Sequence, residues 1–257
     1  MEKRFIFTID DNIRFLQELT ENNSKTLFAH PYANLLKELH ETYGVKVQLN
    51  LFFQNETFTL AQMTDKHKKE WEDNADWLKL SFHSKLENVL PYQNSNYAEV
   101  YEDCKNVQAE ILRFAGEKSL AKTTTVHYCQ TTLEGLQALK DNGVKGLLGL
   151  FGTLLSPENS YQLPKHGGEK IRQGEIFKFN ETIFAGIDVI LNSYSPKEII
   201  ALLEGLKHRN FVKIMIHEQY FYTDYVAYQP DFKLKLEKAF SFLTENGFTS
   251  CFFEEML

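Results

Sequence analysis

Cysteine is scarce. The three that occur, Cys104, Cys129 and Cys251, lie far apart with no C-x-x-C spacing. An odd, dispersed set of thiols argues against a disulfide framework and fits a reducing compartment. Long apolar runs are missing too: the most apolar stretch, residues 146–155, has about half the ~20 residues a membrane span needs. The opening Met1-Glu2-Lys3-Arg4 passes directly into Phe5-Ile6-Phe7-Thr8-Ile9, with no apolar h-region or small-residue cleavage site of a secretory signal. No stripe is dense in Lys or Arg. The net charge is −7, and the most basic run, Lys66-His67-Lys68-Lys69, is followed at once by Glu70, Glu72 and Asp73. That pattern is a solvated helix face and gives no footprint for nucleic acid. The expectation is a cytoplasmic protein with no membrane span and no nucleic-acid partner.

Apolar residues are plentiful. A hydrophobic fraction of 43%, with 21 Phe among 257 residues, supplies a large core and argues against disorder. The dominant pattern alternates short β-branched or aromatic runs with helical stretches. Strands are predicted over 4–9, 45–53, 77–82, 122–126, 144–151, 184–191, 212–216 and 249–253. Helices are predicted over 35–43, 97–115, 133–140, 196–206 and 232–243. Their ends are marked: Gly44, Asn142-Gly143 and Asn246-Gly247 as C-terminal stops, Ser195-Pro196 as an N-terminal start. Strand–helix alternation with short connections implies parallel strands joined by right-handed crossovers. The expected fold class is α/β, a distorted (β/α) barrel of seven or eight mainly parallel strands in a single domain over 1–257. Residues 156–180, with Pro157, Pro164, Gly167-Gly168 and Gly174, break the rhythm and read as a loop or hairpin insertion.

In such barrels the reacting groups gather at the C-terminal ends of the strands. Asp10-Asp11 ends the first predicted strand, His83 the third, His127 the fourth and His217 the seventh, so three of eight histidines fall at equivalent places beside a carboxylate pair. Singly, each has an ordinary explanation as a turn, cap or core residue. Ser84-Lys85-Leu86-Glu87 also reads as a capping box. Together they converge. His83 and Glu87, at i and i+4, share a face on a helical turn, and with Asp11 make a three-ligand set for a divalent metal.

These residues resemble the polysaccharide deacetylase superfamily, carbohydrate esterase family four and its relatives. Thr8-Ile9-Asp10-Asp11 resembles its T-F-D-D motif, and Val47 to Phe53 (VQLNLFF) the A-T-F-F strand that follows. His83-Ser84-Lys85-Leu86-Glu87 resembles H-[S/T]-x-x-H, and Ile214-Met215-Ile216-His217 the late L-x-H motif. The resemblance implies Asp10 as general base and His217 as general acid. It implies metal ligands Asp11, His83 and, in place of the second histidine, Glu87. The ion expected is Zn2+, with Mn2+, Fe2+ or Co2+ admitted by the more anionic site. Where R-x-P-Y belongs, the chain reads Val126-His127-Tyr128-Cys129-Gln130, so His127 and Tyr128 are expected at the substrate. Tyr220 and Tyr222, in the aromatic segment after His217, are expected there too. The implied activity is removal of an N-acetyl group from a sugar, a small molecule or an oligosaccharide, or from a small amide. A catalytically inactive carbohydrate-binding barrel and a metal-dependent hydrolase of glycosidic bonds stay open as alternatives.

Overall fold

Alternating strands and helices run through the whole of the computed structural model, which describes residues 2–87, 92–151 and 160–257. The strands are β1 (Lys3–Asn12), β2 (Val47–Gln54), β3 (Leu78–Leu86), β4 (Thr123–Thr124), β5 (Gly146–Gly149), β6 (Phe177–Phe179), β7 (Thr182–Gly186), β8 (Val189–Ile190), β9 (Phe211–His217) and β10 (Phe248–Ser250). The helices are α1 (Arg14–Glu21), α2 (Pro31–Tyr43), α3 (Lys68–Asp73), α4 (Tyr97–Phe114), α5 (Leu133–Asp141), α6 (Lys165–Arg172), α7 (Pro196–Leu206) and α8 (Phe232–Glu245). None of the described helices is long and apolar enough to cross a membrane.

The strands form two sheets. One has the order β3-β2-β1-β9-β8, with β10 also paired to β1; the other has the order β4-β5-β7-β6. Every pairing is parallel except the β6–β7 hairpin, whose turn is made by Asn180 and Glu181 at φ 47° and 69°. The sheets meet along two seams. At one, Ala121 N–H donates to the Leu80 carbonyl at 2.8 Å. At the other, Ile187 N–H donates to Gly149 and Asp188 N–H to Lys213, each at 2.8 Å. The α/β architecture with mainly parallel strands is the one expected. The run predicted over 184–191 is split into β7 and β8 because Ile187 and Asp188 carry the chain from one sheet to the other. The insertion expected at 156–180 contains α6 and β6; its first residues, 156–159, lie outside the described residues.

Period-2 alternation decides which side chains enter the space between the sheets. Phe5 and Phe7 of β1 point outward and pack on Phe240 of α8, with ring centroids at 6.0 and 5.0 Å. Ile6 points the other way, into a cluster with Leu148, Ile183, Ala185 and Phe211 that links the sheets. Thr8 and Asp10 continue that inward face towards the strand ends, where Gln48, Asn50, Ser81 and Thr123 are all buried as well. A core polar at this end and apolar at the other sets the floor of the site.

Candidate metal centre and cleft

Two irregularities aim the key side chains. In a regular strand Asp10 and Asp11 would point to opposite faces. Here the β1–β2 register shifts between Ile9 and Asn12, and Asp11 takes a left-handed φ of 63°. That bulge turns both carboxylates into one cleft. A second shift, between Leu51 and Phe52, opposes His83 on β3 and aims its imidazole inward. From the second sheet, the turn after β4 holds Tyr128 and Cys129 at φ 57° and 56° and delivers His127. All line a cleft of about 430 Å³ that also includes Leu150, Asn192 and Met215.

Within it three donor atoms converge. His83 Nε2 lies 3.0 Å from Asp11 Oδ1, and His127 Nδ1 lies 3.0 Å from His83 Nε2 and 3.3 Å from Asp11 Oδ1. Among the described residues this is the set whose ligand atoms fall within 4.8 Å of one another, and all three residues are buried. The second nitrogen of His83, Nδ1, lies 2.5 Å from the Thr125 carbonyl, an oxygen that can only accept. Nδ1 therefore carries the hydrogen and Nε2 presents its lone pair, the orientation that metal-binding histidines adopt. Gln219 Nε2 donates to Asp11 Oδ2 at 2.7 Å, leaving Oδ1 as the converging oxygen. Tetrahedral ligands at zinc distances are about 3.3 Å apart, so the donor set fits a divalent ion. Burial opposes charge on Asp11, yet the hydrogen bond from His127 and the nearby imidazoles of His83 and His217 hold its pKa well below the usual carboxylate value. Burial lowers the pKa of His83, against the pull of Asp11.

Asp10 and His217 are neighbours in the β1–β9 register. Asp10 Oδ1 accepts from Asn50 Nδ2 at 2.6 Å. That amide is oriented from below: Gln48 Nε2 donates both to the Thr123 carbonyl at 3.0 Å and to Asn50 Oδ1 at 2.8 Å. Burial raises the Asp10 pKa well above the ordinary value, the Asn50 bond opposing it and the Asp11 charge adding to it. His217 Nδ1 lies 2.9 Å from Asn192 Oδ1, and burial lowers its pKa.

The structure thus gathers Asp10, Asp11, His83 and His217 as expected, but brings His127 to the donor set where the sequence pointed to Glu87. The segment expected to form a helical turn is the end of β3, and Ser84 Oγ bonds the Leu86 carbonyl at 3.1 Å, so no capping box forms. Glu87 is half-buried at the cleft mouth, and its pKa is raised by burial and then by the charge of Asp11. Tyr128, 51% exposed, and Tyr220 line the cleft. Tyr222 does not. It is buried, gives its hydroxyl to Glu218 at 3.1 Å and lies under the Arg14 guanidinium, because the turn after β9 directs it at α1. Asp188 pairs with Arg209 and Lys213 just before β8, at the opposite end of that strand from the cleft. Asn50, Asn192 and Gln219 are the site residues that sequence reasoning passed over.

No family model matches this sequence, and no curated protein matches it. Solved structures do. A polysaccharide deacetylase described as putative, from Mycobacterium smegmatis, superposes with a TM-score of 0.61 at 10% identity, covering 99% of this chain and 88% of its own. A family 4 acetyl xylan esterase from Clostridium thermocellum, solved with cobalt, gives 0.57 at 13% identity, over 99% and 90%. The fold is that of the family 4 carbohydrate esterases. A pseudoenzyme of the same esterase family from Bacillus anthracis gives 0.52 at 10% identity, over 99% and 65%. The esterase fold therefore carries both active and inactive members, and activity has to be argued from the cleft.

Proposed function

We propose that this chain is a metal-dependent hydrolase that removes an acyl group, in the first instance an N-acetyl group, from a sugar, an oligosaccharide or a small amide. The observation that carries this is the convergence of Asp11 Oδ1, His83 Nε2 and His127 Nδ1 beside a buried, singly bonded Asp10. Two imidazoles and a carboxylate suit Zn2+ best and accept Mn2+, Fe2+ or Co2+. When bound, such an ion lowers the pKa of water and polarises an acyl oxygen. The chain's own groups do the rest. Asp10, held through Oδ1 by Asn50, takes the proton of the attacking water. His217 gives a proton to the leaving nitrogen as the C–N bond breaks, releasing carboxylic acid and amine. Tyr128 and Tyr220 offer flat faces with polar edges for a sugar ring at the mouth.

The test begins with metal content after purification without chelators, alongside acetate release from acetylated sugars. Wild type should hold about one transition metal per chain, and His83→Ala and His127→Ala should lose it while Glu87→Ala keeps it. Loss in Glu87→Ala with retention in His127→Ala would restore the ligand set implied by the sequence. A wild type that takes up no zinc, manganese or cobalt would sink the hydrolase. The fold shared with a pseudoenzyme supports a carbohydrate binder in that event.

A further inference from the structure

We propose that Asn192 is the positioning residue of His217: it locks the imidazole with its hydrogen on Nδ1 and leaves Nε2 bare and the ring uncharged at rest. The argument starts from a backbone group. His217 N–H can only donate, and the Asn192 side-chain atom 3.2 Å from it must be an acceptor, Oδ1. The same oxygen lies 2.9 Å from His217 Nδ1. An amide oxygen cannot donate, so Nδ1 carries the hydrogen.

Asn192 is itself held. Its backbone carbonyl accepts from Gln229 Nε2 at 2.8 Å, and the Gln229 oxygen is fixed by the Lys235 ammonium at 2.6 Å, a group that can only donate. Single-role donors and acceptors therefore run from Lys235 of α8 to the Asn192 backbone and fix the residue whose side chain faces the imidazole on β9.

The groups facing the ring are Asp10 and Asp11 at the end of β1, His127 after β4, and Tyr220 and Tyr225 after β9. Among the described residues none of these bonds Nδ1; its partner is the neutral Asn192. A positive charge on His217 is without a bonded carboxylate, and the ring rests as neutral imidazole. To act as an acid it first takes a proton from solvent at Nε2. On giving that proton to the leaving nitrogen it returns to the same tautomer. This last consequence rests on the acyl-hydrolase reading; the tautomer does not.

The experiment is 15N NMR of the full chain labelled at histidine, with His217 assigned by its loss in His217→Gln. Above its titration, His217 should show a protonated, pyrrole-type Nδ1 and a bare, pyridine-type Nε2. Asn192→Leu should release the lock, and the hydrogen should appear on Nε2. Asn192→Asp keeps the acceptor and the shape, so it should retain the Nδ1 hydrogen and raise the titration midpoint by about 1–3 pH units. A hydrogen on Nε2 in wild type, or a midpoint unmoved in Asn192→Asp, overturns the proposal. Neither readout needs turnover, so a chain that hydrolyses nothing still answers. With a substrate in hand, the alkaline limb of turnover should move up with the midpoint in Asn192→Asp.

Discussion

Glu218 follows His217 directly, and its carboxylate caps a helix more than 200 residues earlier in the chain. Oε2 accepts from Ile13 N–H at 2.8 Å and Arg14 N–H at 3.1 Å, while Oε1 accepts from Phe15 N–H at 2.6 Å and the Tyr222 hydroxyl at 3.1 Å. These N–H groups open α1, which begins just past Asp10 and Asp11, so one side chain ties the ends of β1 and β9 together. Glu218→Ala strands three buried donors, the Tyr222 hydroxyl among them, and one half-buried one, each worth about 1–3 kcal/mol when left unpaired. Allowing for water reaching Arg14 N–H, the cost should be about 3–4 kcal/mol, high for a single substitution. For a chain of this length that lowers Tm by roughly 10 °C. Glu218→Gln keeps one acceptor oxygen and should cost about half as much. Urea unfolding of the three proteins, followed by far-UV circular dichroism, measures both values. A loss under about 1 kcal/mol in Glu218→Ala, or equal losses in the two variants, would refute the capping argument.

Two further outcomes follow from buried groups. Burial lowers the pKa of both His83 and His217 in the folded chain. As pH falls through the ordinary histidine range the unfolded chain binds protons first, so metal-free protein should lose stability between about pH 7 and 5. A thermal midpoint that stays level across that window would contradict the burial of neutral imidazoles. Asn50→Leu removes the donor on Asp10 Oδ1 and leaves the three converging donor atoms in place. It should keep the metal while turnover falls about 10- to 100-fold, the usual cost of losing a supporting hydrogen bond; unchanged turnover would take Asn50 out of the site.

Much of this was legible in the chain. Ser195-Pro196 and Gly44 mark real helix ends: Ser195 and Glu198 form a capping box, and Gly44 sits at φ 67°. Strand ends located Asp10, His83, His127 and His217 because parallel strands place those ends together. The same rule reaches Asn192, which follows the predicted strand 184–191, but a neutral amide draws no notice when charges are sought. Asn50 and Gln48 carry a fainter signal, two polar residues at period 2 inside an apolar strand. What could not be read is long-range or conformational. α1 escapes because Ile13 stands at its N-cap and the capping group is Glu218. His127 escapes as a donor because non-glycine residues at positive φ, Tyr128 and Cys129, make the turn that delivers it. α6 hides behind Gly167, where the ring of Phe177 occupies the space of a Cβ.

The converging donors do not belong to one sheet. Asp11 and His83 hang from the sheet built on β1, whereas His127 follows β4 in the other. Alongside the Leu80 seam, an ion seated there would rivet two halves that are also joined by the Asp188 seam, by side-chain hydrogen bonds such as Gln48 to the Thr123 carbonyl, and by packing. Loading the ion at 100 times its Kd then adds about 2.7 kcal/mol to the folded state. The amides it slows most in hydrogen exchange will be those of β4 and the end of β3, and a chelator will loosen that side of the molecule first.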